Sequence, residues 1–320
     1  MTVITFASVK GAPGVTTVAC LVGATWPGDR RVMVAECDPS GGDLAARFGL
    51  SSKRGWPTFA TALRRSGANA TIEPHLQQLP GGLDVLVGPG GSDGPDSIQA
   101  ADELLVRTSD WSTGLWDVLV DVGRLPAGDL PASGWLARSD TVVILLRNDA
   151  ASLLHIRNRA REILAVCGDR AALAVVGDTR YGNEAIAEFT GLPVIGNVPF
   201  DPVAAALAAG DQGSERRLSR SFLINSALRL SQGLCGPDSG PVGTRGPRSS
   251  ETLEGAEPAN RLSPVRRSIS WSRRYLDRSV RRLKPRTGAA QRIPVPVPVP
   301  VPERDSEREL PPDRQQEVSA

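Results

Sequence analysis

Lysine is nearly missing from this chain: of 37 basic residues in 320, only Lys10, Lys53 and Lys284 are lysines. Cysteine is scarce as well. Cys20, Cys37, Cys167 and Cys235 are scattered without Cys-x-x-Cys spacing, which argues against a zinc ribbon or a disulfide framework and for buried thiols in a reducing cytoplasm. The two histidines, His75 and His155, are not accompanied by a serine- or cysteine-nucleophile motif, so serine-hydrolase and metalloenzyme chemistry are disfavoured. Long hydrophobic runs are lacking too. Stretches such as Val142 to Leu146 fall far short of the roughly 20 apolar residues a bilayer span needs. No signal peptide is recognised, and the expected location is cytoplasmic, with any membrane contact peripheral and at the inner face.

What is present begins at Lys10 to Thr17, Lys-Gly-Ala-Pro-Gly-Val-Thr-Thr. The β-branched run Thr2 to Ser8 before it suits a buried parallel strand, and the small apolar residues Val15 to Ala24 after it suit a helix. Strand, glycine turn and helix form the context in which backbone N–H groups cradle a phosphate. Gly11 and Gly14 let those groups turn inward without a Cβ in the way, and the helix N-terminus adds partial positive charge. The Thr16 hydroxyl is then placed to ligate Mg²⁺. A tight βα turn without a ligand is the competing reading. A dinucleotide-binding turn fits worse, because Gly-x-Gly-x-x-Gly is absent.

Two further strands end in acids. Arg31 to Cys37 delivers Asp38 into the loop Pro39-Ser40-Gly41-Gly42-Asp43. Asp117 to Gly123 carries Asp121 at its end, where an acid can hold Mg²⁺ through water, since a hard cation prefers oxygen ligands. A helix cap or solvated turn is the alternative for Asp121 alone.

The loop resembles the deviant phosphate-binding motif of ParA/MinD-type P-loop ATPases, Lys-Gly-Gly-x-Gly-Lys-Thr-Thr or Ser, and the resemblance extends from Met1 to about Leu234. It implies ATP and Mg²⁺ as cofactors, held by Gly11, Ala12, Pro13, Gly14, Val15, Thr16 and Thr17, with Thr16 and Asp121 as metal residues. Lys10 matches the signature lysine that reaches across a nucleotide-sandwich homodimer, and Asp38 matches the acid near the attacking water, with Glu36 in place of the motif's first aspartate. These two, Lys10 and Asp38, are the catalytic candidates. The second lysine of the motif is replaced by Val15, so the chain reads as a MinD-like or CpaE-like member without it. One charge-assisted hydrogen bond is worth about 1.5 to 3 kcal/mol, so phosphate affinity is expected to fall roughly ten- to a hundredfold and hydrolysis to be slow or absent. Pro199-Phe200-Asp201 matches the turn that lines the adenine pocket in relatives, and Asp178 stands where the family usually places an adenine-reading asparagine. The resemblance implies a nucleotide-dependent switch that positions or partitions cargo through a partner protein; the alternative is a catalytically silent scaffold for a pilus- or secretion-type machine.

Strands at Thr2–Ser8, Val32–Cys37, Leu83–Val87, Val118–Val122, Thr141–Leu146, Leu173–Val176 and Val194–Val198 alternate with helices near Val15–Ala24, Thr58–Arg65, Ser97–Thr108, Ser152–Val166, Asn183–Phe189, Pro202–Ala209 and Glu215–Ser231. This order predicts an α/β domain with a doubly wound, mostly parallel sheet over residues 1–234. From 235 to 320 the chain becomes rich in Pro, Gly, Ser and Arg, with a Val-Pro repeat at Pro294–Pro302, and reads as a disordered tail. Within it, Arg261–Arg286 holds ten basic residues against Asp277, a charge of +9, which leaves −7 for the rest of a chain totalling +2. Over 265–284, Ile269, Leu276, Val280 and Leu283 would share one face of a basic amphipathic helix. An anionic membrane surface, nucleic acid, or a plain arginine-rich linker are the three readings of that segment.

Overall fold

The computed structural model describes residues 2–10, 13–27, 31–89, 116–125, 134–178, 180–211 and 215–235. The expected helix at Ser97–Thr108 and the basic segment at 265–284 lie outside them. Eight strands form one sheet: β1 (Val3–Ser8), β2 (Arg31–Glu36), β3 (Gln77–Gln78), β4 (Asp84–Leu86), β5 (Trp116–Arg124), β6 (Thr141–Arg147), β7 (Ala171–Val176) and β8 (Val194–Val198). Their spatial order is β3-β4-β2-β5-β1-β6-β7-β8. All pairings are parallel except the short β3–β4 pair. The described helices are α1 (Val15–Ala24), α2 (Leu44–Phe48), α3 (Trp56–Ser66), α4 (Gly134–Arg138), α5 (Ala150–Cys167), α6 (Asn183–Thr190), α7 (Pro202–Ala208), α8 (Glu215–Ser219) and α9 (Phe222–Leu234).

Both faces of the sheet are covered, which is why its central strands read as continuous apolar runs. Val3, Ala7, Met33, Val118, Val120 and Ile144 face a core built with α3, α4 and α5. Ile4, Phe6, Val34, Leu119, Val143 and Leu145 face the opposite core, built with α1, α7 and α9. The chain moves from β1 across β5 to β2, then from β5 across β1 to β6. The winding direction therefore reverses at the β5–β1–β6 centre, the switch point outside which ligands of such sheets bind.

The strand and helix expectations hold to within a few residues, with one division. The predicted helix from Glu215 to Ser231 is broken into α8 and α9 at Ser221, whose backbone is extended and whose hydroxyl accepts the Ile224 N–H at 3.2 Å. No helix among the described residues is long and apolar enough to cross a membrane.

Asp117 locks the start of this arrangement. Buried at the foot of β5, it accepts the Thr2 N–H at 2.8 Å on one oxygen and the Trp26 indole N–H at 3.1 Å on the other. Asp117→Ala leaves both donors without that acceptor, and an expected loss of about 2 to 4 kcal/mol is measurable by urea unfolding of the full chain.

Candidate functional site

Register decides which acids meet. Asp121 of β5 is the Cα partner of both Phe6 in β1 and Glu36 in β2, so the three side chains emerge on one face, the face covered by α1. Period-two alternation carries the same face onward to Asp38 and Gly123.

Asp121 is fully buried. Its Oδ1 accepts the Gly123 N–H at 2.9 Å, while Oδ2 has no hydrogen-bond partner. Burial pushes the carboxyl up to about 7, and the charges of Glu36 and Asp38 push the same way, against the Thr16 hydroxyl and the Gly123 N–H. A buried carboxylate with a free oxygen beside a threonine hydroxyl suits a hard cation, which would drive off the proton and satisfy Oδ2. Among the described residues no group of three metal-ligating side chains is found, so such a cation would take its remaining oxygens from water or from a ligand.

Glu36, which stands in place of the motif's first aspartate, is taken up by backbone hydrogen bonds. Its Oε1 accepts the N–H groups of Asp43 (2.6 Å) and Leu44 (2.9 Å), and its Oε2 that of Gly88 (2.9 Å). The carboxylate is a clamp on the loops after β2 and β4, too enclosed to reach a ligand. A Cβ on Gly42 would lie 2.3 Å from Oε2, so the glycine makes room for it.

Asp38, half-buried, turns its Oδ1 to the Ser40 N–H at 2.8 Å. Its other oxygen crowds Gly123, where an added Cβ would fall 1.8 Å from it and where φ is +60°. Gly123 is thus required twice, by backbone conformation and by contact. Its place in the sequence marks it only as the end of a strand.

In the glycine loop, Gly14 has φ +91° and opens α1 without any side-chain cap. Gly11 and Ala12 lie outside the described residues. Val15 is buried in the α1-side core with Phe6 and Val18, so the position of the missing lysine is filled by apolar packing. Thr16 and Thr17 are half-buried. Lys10 has its Nζ 2.7 Å from Nε2 of His155 on α5, a contact that no sequence spacing signalled.

A cavity of about 290 Å³ adjoins the loop. Pro13, Gly14 and Thr17 form one wall, Val176 and Val198 its floor, and Pro199 and Phe200 the other side. Asp201 also borders it, but its Oδ1 is committed to capping α7 through the Ala204 N–H at 2.8 Å. Asp178 stands outside this set, in the turn after β7, where its carbonyl accepts the Arg180 N–H at 2.9 Å. A larger hollow, about 560 Å³, lies between β8 and α9 and touches no residue of the glycine loop.

Together these features define a doubly wound α/β protein with a glycine turn and two acids at the switch point. Its fold is that of the ParA/MinD proteins. The MinC:MinD cell division protein complex of Aquifex aeolicus is matched at TM-score 0.57 and 14% identity over 76% of this chain and 99% of that one. A ParA family ATPase from Chlorobium tepidum TLS is matched at 0.55 and 17% identity, over 71% of this chain and 98% of that one. The septum site-determining protein MinD complexed with Mg-ADP from Pyrococcus horikoshii OT3 gives 0.55 and 16%, over 73% and 96%. At these identities the likeness is one of fold. No protein-family model and no curated protein sequence matches the chain.

Asp121 makes stability depend on pH. Its carboxyl ionises near 3.8 when exposed and near 7 when folded, so between those values the folded state holds the extra proton. Stability falls as pH rises through that window, by on the order of 4 kcal/mol across the whole of it, and levels off above it. Chemical denaturation at a series of pH values reads this slope, and Asp121→Asn removes the part that Asp121 contributes, leaving that of Glu36 and Asp38, which burial also raises. In the same assay Gly123→Ala, strained in backbone and clashing with Asp38, costs about 2 kcal/mol or more.

Proposed function

We infer that the chain binds ATP with Mg²⁺ at Gly11–Thr17 and acts as a nucleotide-dependent switch, with hydrolysis very slow or absent. The observation that carries this reading is the buried, unsatisfied Oδ2 of Asp121 beside Thr16, at the N-terminus of a helix opened by Gly14 and next to a cavity of nucleotide-compatible composition. In the reading, the uncapped N–H groups of α1 and the loop amides take the phosphates. Thr16 and Asp121 hold Mg²⁺, which supplies charge neutralisation at the phosphates. Asp38 sits at the mouth as the acid nearest a water, and Pro199 and Phe200 flank the base. The Mg-ADP with which the Pyrococcus MinD is complexed, and the likeness to a ParA family ATPase, support the choice of nucleotide.

Lys10 is the candidate for bridging a homodimer, and the MinC:MinD complex is a precedent for a protein partner on this fold. Dimer formation would require Lys10 to leave His155. Residues 1–234 form the nucleotide-binding domain in this reading. The segment Arg261–Arg286, outside the described residues, offers charge for an anionic membrane or nucleic acid.

One observation favours a second reading, the catalytically silent scaffold. Val15 is integrated into the core, so the loop has no lysine within the subunit to stabilise a transferring phosphoryl group, a cation that can be worth about 10³ to 10⁵ in rate.

Calorimetric titration with ATP and Mg²⁺, combined with a phosphate-release assay, separates the readings. Binding without measurable turnover is expected, and Asp121→Asn should abolish the Mg²⁺ dependence of binding. Brisk turnover lost in Lys10→Ala would exclude the scaffold. Truncation after Leu234, tested on anionic vesicles and on DNA, reports which surface, if either, the basic segment binds.

A further inference from the structure

We propose that Arg147 supplies to the nucleotide's phosphates the positive charge that Val15 withholds from the glycine loop. The proposal rests on the nucleotide reading above. Arg147 is the last residue of β6. Its Cα is in register with Val176 of β7, and Val176 with Val198 of β8, so the three form a row across the carboxyl ends of neighbouring strands. Val176 and Val198 line the cavity that Gly14 and Thr17 share. Alternation along β6 buries Val143 and Leu145 in the α1-side core, which puts Arg147 on that same face. On its other side β6 pairs with β1, Leu145 opposite Ser8, so Arg147 stands level with the chain beyond Ser8 that leads into the loop.

The side chain is exposed, and its guanidinium lies 5.8 Å from the centroid of the Phe200 ring, on the cavity's outer wall. Among the described residues no carboxylate pairs with it; the ion pairs there are Arg31–Asp84, Arg47–Asp43 and Arg159–Glu162. Of the other cations near the site, Lys10 is engaged with His155 and Arg47 with Asp43, while Arg124, also exposed, ends β5 opposite Ser8. A cation without a counter-ion thus borders a cavity whose glycine loop lacks its own. Arginine suits the role, because its planar fork donates to two phosphate oxygens at once. The contact with Phe200 holds the guanidinium at the cavity's edge until a ligand enters.

The full chain, Arg147→Ala and Arg147→Lys are titrated with ATP plus Mg²⁺ and, separately, with adenosine, in a calorimeter at two salt concentrations. Thermal unfolding checks that the variants fold, as the exposure of Arg147 predicts. Arg147→Ala is expected to weaken ATP binding roughly ten- to a hundredfold, to reduce its salt dependence and to leave adenosine binding unchanged, with Arg147→Lys intermediate. Equal losses for ATP and adenosine would assign Arg147 to the base wall and overturn the proposal. Unchanged ATP affinity in Arg147→Ala, with binding by the natural chain intact, would overturn it and leave the nucleotide reading standing. No ATP binding by the natural chain would overturn both.

Discussion

A buried carboxylate that gives its oxygens to three backbone N–H groups holds the functional edge of this sheet together. Glu36 ties the end of β2 to the start of α2 and to the exit of β4, through Asp43, Leu44 and Gly88. Those hydrogen bonds offset part of a desolvation cost that still pushes the group toward its protonated form. With Glu36 enclosed, the acids left at the mouth are Asp38 and Asp121. Both are held toward the protonated form by burial, and then by neighbouring charge: Asp43 for Asp38, Glu36 and Asp38 for Asp121. The same field reaches Cys20 in α1. Its burial and the neighbouring Asp121 and Glu36 keep that thiol protonated, so it behaves as a small apolar group and not as a nucleophile. Three carboxyls thus share an edge where burial disfavours their charged forms, and a bound cation would restore that charge.

The replacement of a loop lysine by Val15 is therefore more than a deletion of charge. It extends the apolar face of α1, which with Val18, Cys20, Leu21 and Val22 is buried along most of its length. Apolar burial at about 25 cal/mol per Å² rewards such a helix whether or not a ligand is present. Stability of the loop's foundation and charge on the phosphate have been separated, and any side-chain cation that meets the phosphate must come from outside α1.

Much of this was legible in the amino acids. β-branched apolar runs such as Thr141–Leu146 can be read as strands because helices cover both faces of the sheet, and a glycine turn or an acid at a strand's end marks its carboxyl edge. Short elements escaped: α2 with five residues and β3 with two have too little sequence for a period to show. The split at Ser221 escaped because apolar spacing continues through it, and only the capping hydroxyl reveals the break. At the site, Thr16 lies beside Asp121 with Asp38 near by, and Pro199 and Phe200, which the resemblance singled out, border the cavity that Gly14 and Thr17 share. The task of Glu36, the engagement of Lys10 by His155, the crowding of Gly123 and the distance of Asp178 from the cavity all depend on contacts between residues distant in sequence. No local pattern encodes them.

α1 is held near both ends by acids of a single strand. Thr16 lies by Asp121 at its start, and Trp26, just past its end, is hydrogen-bonded to Asp117. The two acids sit on the same face of β5, and the helix runs back along the strand between them. Sliding α1 along the sheet would break the Trp26 contact inside the core, whereas a change at the loop end would leave it intact. The helix is thereby anchored at its far end inside the core, and one strand, β5, sets both where α1 ends and which acid stands beside its first turn.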